Sequence, residues 1–429
     1  MGDADRIDFT PYLPAPRGGR LGRWVSAEEA VAAIPDHSRV YVAGDSMLPG
    51  ALTIAMTEAA DRWTDIEIVN PGLLRRVPLF RRAGRPFRFV STHASRVYRD
   101  LWALGAVDVL PTKLSDLHAL FTPDGPLPCD VAVIHVSPPG PEGKVSLGVS
   151  VGVSISAALT APLVIAQVNP QVPYVFGAGE IPVEEIDYLV ELEEPFSDWR
   201  EGGELDPVSA RIAELAAGLV VDGATIQFGN GVLPDAILRQ LSTRTGLRVH
   251  SGLVSEACAD LYEAGVVEGP MVATQLMSTP RLRAWAHRNP AVQLGPLSYT
   301  HGPGVLASLE RFTALLSTVE VALDGAANSE MRGEETISAP GGAPDFAFGA
   351  SLVNGGRLVV ALPSTAAGGA VSRVVRRIEP PRPVTLPGYL ADAIVTEHGV
   401  AEVRGLTLAR RAQAIAGLAA PAHRAGLLA

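Results

Sequence analysis

Cysteine is nearly missing from this chain: its 429 residues contain two, Cys129 and Cys258. Two thiols cannot build a disulfide framework or a cysteine-rich zinc site. The expected compartment is therefore the reducing cytoplasm, with both side chains serving as small buried apolar groups. Long hydrophobic runs are missing too. The best, Ala157 to Val168, contains Thr160 and Pro162 and falls short of the ~20 residues a spanning helix needs, so no membrane role is expected. The opening Met1-Gly-Asp-Ala-Asp-Arg is acidic and lacks the apolar core of a secretory signal. Positive charge is also in short supply. A net charge of −11 leaves no general basic face for neutralising phosphates, which argues against a nucleic-acid partner. No H-E-x-x-H or cysteine cluster occurs, so no metal is expected, and no G-x-S-x-G surrounds Ser251, Ser255 or Ser364.

What is present suits a large soluble α/β enzyme. Hydrophobic residues make up 47% and charged residues 19%, enough to bury the cores of two or three domains. Short β-like runs at Val40–Ala43, Ile66–Val69, Phe87–Val90, Val131–Val136 and Leu163–Val168 alternate with helical stretches, the pattern of a parallel α/β sheet. Ser26-Ala-Glu-Glu29 reads as a capping box, with Val25 as its staple, and Asp206-Pro207 as an N-cap followed by proline at the first helical position. Val42 to Leu52 aligns without gaps with Gln227 to Ile237, matching Gly44, Leu48, Pro49 and Ala51 to Gly229, Leu233, Pro234 and Ala236. Two similar halves, each with a glycine turn between strand and helix, are the expectation. The charged, turn-rich stretch from Glu191 to Gly203 is the best linker, which places the domains at 1–200 and 201–429.

The chemistry concentrates in Thr225-Ile-Gln-Phe-Gly-Asn-Gly-Val-Leu-Pro-Asp-Ala and Leu247-Arg-Val-His-Ser-Gly-Leu-Val-Ser-Glu256. A Gly-x-Gly turn opening a helix lets backbone amides approach an anionic or carbonyl oxygen, although the same turn also serves as a plain strand-to-helix connection. The first block resembles the G-x-G-x-x-P-D-A turn of the acetyl-CoA hydrolase and 4-hydroxybutyrate CoA-transferase family, and the second resembles that family's H-[ST]-E segment. Further blocks follow in order: Cys129 to Gly140, Gly143 to Ser150, Leu163 to Asn169, Leu297 to Thr300, Gly341 to Phe346, Ala361 to Ala366 and Val395 to Gly405. The resemblance implies two similar open α/β domains of the CoA-transferase type, with the thioester in the cleft between them. It also implies CoA or acyl-CoA as substrate, no tightly bound cofactor, and a homo-oligomer. By resemblance, an amide among Gly229, Asn230, Gly231 and Val232 forms one arm of an oxyanion hole and the Gly341-Gly342 loop the other. Ser364, Gly368 and Gly369 would pack against the CoA arm or the acyl group, unless they form an ordinary surface loop. Arg373 would face a phosphate or carboxylate, unless it is simply solvated.

The resemblance breaks at Gly252, where the family's nucleophilic glutamate is expected, and glycine cannot form a covalent acyl intermediate. Leu316 replaces a nearby asparagine of the family pattern. Glu256, four residues on, would share a face with position 252 if the segment were helical, or be a capping carboxylate. His301 would be a general base near neutral pH, or a loop histidine. His250 matches the family and reads as part of its old site. Three functions stay open: hydrolysis of the thioester by water, CoA transfer through a relocated Glu256, and a catalytically silent CoA-binding homologue. The acyl group is not legible.

Overall fold

A computed structural model describes residues 6–428 apart from 21, 74, 94, 95, 197 and 199–204. The start of the chain, Met1–Asp5, and the expected boundary near residue 200 lie outside the described residues. The chain forms two compact units: residues 1–199 with 272–300, and residues 200–271 with 301–429. Each is an α/β fold on a mainly parallel sheet, as the alternation of strand and helix patterns predicts.

The main sheet of the first unit has eight strands: β1 (Arg23–Trp24), β2 (Arg39–Val42), β3 (Ile66–Asn70), β4 (Phe87–Ser91), β5 (Val107–Val109), β6 (Val131–Val136), β7 (Leu163–Val168) and β8 (Tyr188–Glu191). Their order is β1-β8-β7-β6-β2-β3-β4-β5, and every pairing is parallel. β6 is buried along its whole length, which its unbroken Val-Ala-Val-Ile run requires of a strand covered on both faces. Helix α1 (Ala27–Ala32) starts on Ser26, whose Oγ accepts from Glu29 N–H at 3.1 Å, one half of the expected capping box, while Glu29 Oε1 accepts from Arg23 at 3.0 Å. Helix α2 (Gly50–Glu58) follows β2.

The second unit contains β9 (Thr225–Phe228), β10 (Arg248–Val249), β11 (Thr313–Ser317), β12 (Arg357–Ala361), β13 (Ala393–Thr396) and β14 (Gly399–Glu402), ordered β10-β9-β11-β12-β13-β14 with only β13–β14 antiparallel. Helix α3 (Pro207–Ala217) is capped by Asp206, whose carboxylate accepts from Val208 and Ser209 N–H. Helices α4 (Val232–Arg239), α5 (Glu256–Glu263) and α6 (Ala343–Leu352) frame the candidate site.

The internal echo holds at the level of strand, turn and helix, but the two turns differ. α4 begins at Val232, immediately after Gly231, which adopts φ 125° and ψ 176°. Ser46 stands at the matching place in the first copy, and side-chain-bearing residues avoid that conformation. There Asp45 takes φ 51°, Asp45–Met47 forms a 3-10 turn, and Pro49 becomes the N-cap of α2. Both cysteines are buried, and burial pushes each thiol up to about 12, so neither is poised to react. No helix among the described residues is long and apolar enough to cross a membrane.

Candidate active site

The site grows from the carboxyl end of β9. Gly229 N–H donates to Leu315 O on β11 at 3.2 Å, and the chain then turns through Asn230 and Gly231 into α4. A Cβ on Gly229 or Gly231 would meet nothing closer than Pro234, at 3.8 and 3.9 Å, so packing does not demand glycine; at Gly231 the backbone angle does. Asn230 is exposed, and Val232 opens the helix. Amides at the start of α4 can therefore meet a carbonyl or anionic oxygen. Asp235, in the first turn of α4, accepts from Ser255 Oγ at 2.7 Å and pairs with Arg239 at 3.1 Å, fastening α4 to the start of α5.

Residues 250–256 run alongside this turn. His250 N–H donates to Ile226 O at 3.1 Å. Ser251 is fully buried; its Oγ accepts from Phe228 N–H at 3.4 Å and donates to Phe228 O at 3.3 Å, a staple holding the end of β9. Gly252 is partly exposed and its φ lies outside the left-handed region. A Cβ there would sit 3.6 Å from both His301 Nε2 and Phe346 Cε2, ordinary contact distances. Position 252 can thus carry a side chain without backbone strain, and this sequence gives it none.

Glu256 is the first residue of α5, whereas Gly252 precedes the short strand Leu253–Val254, and Ser255 is extended at φ −109°, ψ 174°. The shared helical face considered from their spacing does not exist. Four extended steps carry the chain towards ~13 Å between the two Cα atoms.

His301 lies beside Gly252. Its ring packs on Phe346 with centroids 4.4 Å apart at 43°, and it is 1% exposed. Burial first, and then the neighbouring His250, lower its pKa to about 3, so a general base titrating near neutrality is not what the structure provides. Gly342 explains itself here: a Cβ on it would come within 2.5 Å of His301 Nε2, so glycine is what lets the Gly341-Gly342 turn close over the imidazole. Gly341 itself takes φ 60°.

Ser364 is fully buried; its N–H and Oγ both donate to the Glu397 carboxylate, at 2.9 and 2.5 Å. Gly368 and Gly369, at φ 66° and 96°, form the exposed tip of the hairpin Thr365–Ala366/Val371–Ser372, where His423 Nε2 lies 2.9 Å from Gly369 O. Leu316 is buried in β11 within the apolar core. The second unit therefore brings Gly252, His301 and Gly342 together around Phe346. Phe346 and Glu397 were missed from sequence, although both stand inside family-like blocks.

Known proteins give this geometry a context. The family model for the acetyl-CoA hydrolase/transferase N-terminal domain matches residues 22–197, and that for the C-terminal domain matches residues 279–429. The 4-hydroxybutyrate coenzyme A transferase of Clostridium kluyveri is 36% identical over 413 residues, covering 94% of this chain and 96% of that protein. A succinyl-CoA:cyclohexane-1-carboxylate CoA transferase from Geobacter metallireducens is 32% identical over 341 residues, 78% of this chain and 77% of that one. The crystal structure of RipA from Yersinia pestis matches with a TM-score of 0.89 at 29% identity, covering 98% of both chains. With both domain models in sequence along one chain and a relative 36% identical across nearly its whole length, this chain belongs to the acetyl-CoA hydrolase/transferase family.

Proposed function

We propose that this protein binds an acyl-CoA and cleaves its thioester by direct attack of water. The observation that carries the reading is the bare backbone at Gly252, with His301 Nε2 3.6 Å from the place its Cβ would take. A glutamate there would form a covalent intermediate; without one, the space beside the imidazole suits a water molecule. The water oxygen forms a C–O bond to the thioester carbon. The carbonyl oxygen gathers charge against amides at 230–232 and 341–342, and the C–S bond breaks to release CoA thiolate. The water's proton passes to the imidazole and then to the thiolate. The lowered pKa makes His301 a weak proton acceptor in the resting fold, and the negative charge growing nearby raises its proton affinity during the reaction.

Relatives named as CoA transferases favour a second reading, passage of CoA to another carboxylate, for which Glu256 would be the attacking group. Incubation with short acyl-CoAs, with and without acetate or succinate, separates the two. Water attack releases free thiol irrespective of added acid, whereas transfer yields a new acyl-CoA and depends on it. Absence of both products alongside measurable CoA binding would identify a silent CoA-binding homologue.

A further inference from the structure

In the first unit, two polar side chains lie buried on neighbouring central strands. His135 on β6 and Gln167 on β7 are register partners, 2% and 0% exposed. Gln167 Oε1 accepts from Ala51 N–H at 3.1 Å and Leu52 N–H at 3.3 Å, while Gly50 N–H donates to Glu194 Oε1 at 2.9 Å. The nine-residue helix α2 thus has no side-chain cap of its own and begins on a carboxylate far along the chain. Gly50 is what admits it, because a Cβ there would come within 2.5 Å of Glu194 Oε2. Asn169 Nδ2 donates to Glu194 O at 3.0 Å and holds that backbone, which lies past the end of β8 between exposed Glu193 and Pro195.

Donor capacity is left over at this point. Among the described residues, Gln167 Nε2 is buried without a hydrogen-bond partner, whereas the buried His135 ring hydrogen-bonds to the backbone of Leu48. His135 Nε2 lies 4.0 Å from Glu194 Oε1, and Gln167 reaches the same helix end through its Oε1. Burial lowers the His135 pKa to about 4 against the opposing backbone hydrogen bond to Leu48, so the ring is neutral at ordinary pH. Polar atoms buried without partners are costly and rare in folded proteins.

We propose that the amino end of α2, together with Gln167, is a binding site for a small monocarboxylate, and that Glu194 is a built-in carboxylate which such a ligand displaces. Two carboxylate oxygens match the N–H of Gly50 and an amide hydrogen of Gln167, with the positive end of the helix beneath them. The proposal does not depend on the acyl-CoA reading, and its test measures no turnover.

The test is thermal unfolding of the full chain at constant ionic strength, with acetate or propionate replacing chloride. Removing the internal competitor with Glu194→Ala is expected to lower the half-maximal carboxylate concentration about tenfold relative to the natural protein. Glu194→Gln keeps the shape of the side chain and should show a smaller shift in the same direction, since an amide holds a helix N-terminus less firmly. Adding Gln167→Met, which preserves volume, should abolish the response. Lack of a carboxylate-specific response in both Glu194 variants would overturn the proposal, as would a response undiminished by Gln167→Met.

Discussion

Gly252 is a residue whose missing side chain can be put back. Its φ and the 3.6 Å clearance to His301 and Phe346 admit a Cβ, so Gly252→Glu should fold with a stability change below about 1 kcal/mol. It should also gain CoA transfer to a carboxylate, measured as new acyl-CoA by chromatography. A variant that folds and binds CoA yet transfers nothing would show that more than one side chain has changed. Gly342 is the opposite case. With 2.5 Å to His301 Nε2, Gly342→Ala must push the ring or the turn aside, and overpacking of this kind costs about 1–3 kcal/mol. Denaturant titration would measure that loss, and thiol release should fall with it. His301 also sets the pH profile. With its pKa lowered to about 3, cleavage should stay level between pH 8 and pH 5, and an acid limb near 6.5 would assign proton transfer to another group.

At the scale of elements, β11 carries Leu316 into the core. Leu316→Asn, attractive when the family pattern alone is considered, should therefore destabilise the protein by about 2–4 kcal/mol, readable as a lower denaturant midpoint. The strands were legible because alternating or unbroken apolar runs ended in turn residues. The starts of α1 and α3 were legible because Ser26 and Asp206 satisfy their first amides locally. The site was legible as motifs but not as contacts. Nothing near Gly342 announces that His301 will lie against it, and nothing near Ser364 announces Glu397 as its partner. Such pairs are made by the crossovers of a parallel sheet, which join residues far apart in sequence. Glu256 failed as a neighbour of Gly252 for a local reason: an extended stretch stands where four-residue spacing suggested a helical turn.

For the molecule as a whole, two buried histidines tie stability to pH. His135 and His301 resist protonation in the fold, with pKa lowered from 6.5 to about 4 and about 3, while the unfolded chain takes up protons at the ordinary value. Stability is then fully present above pH 6.5 and is lost progressively as pH falls towards 4. Unfolding midpoints at pH 7.5 and 4.5 should show that loss, and His135→Gln should reduce it. The function rests on whether the thioester is cut without a covalent carboxyl intermediate. Incubation with a panel of acyl-CoAs, reduction with borohydride and measurement of the intact mass answers this. Water attack predicts free thiol accumulating while the protein mass stays unchanged; a reducible adduct mapping to Glu256, or to any other glutamate, would contradict it.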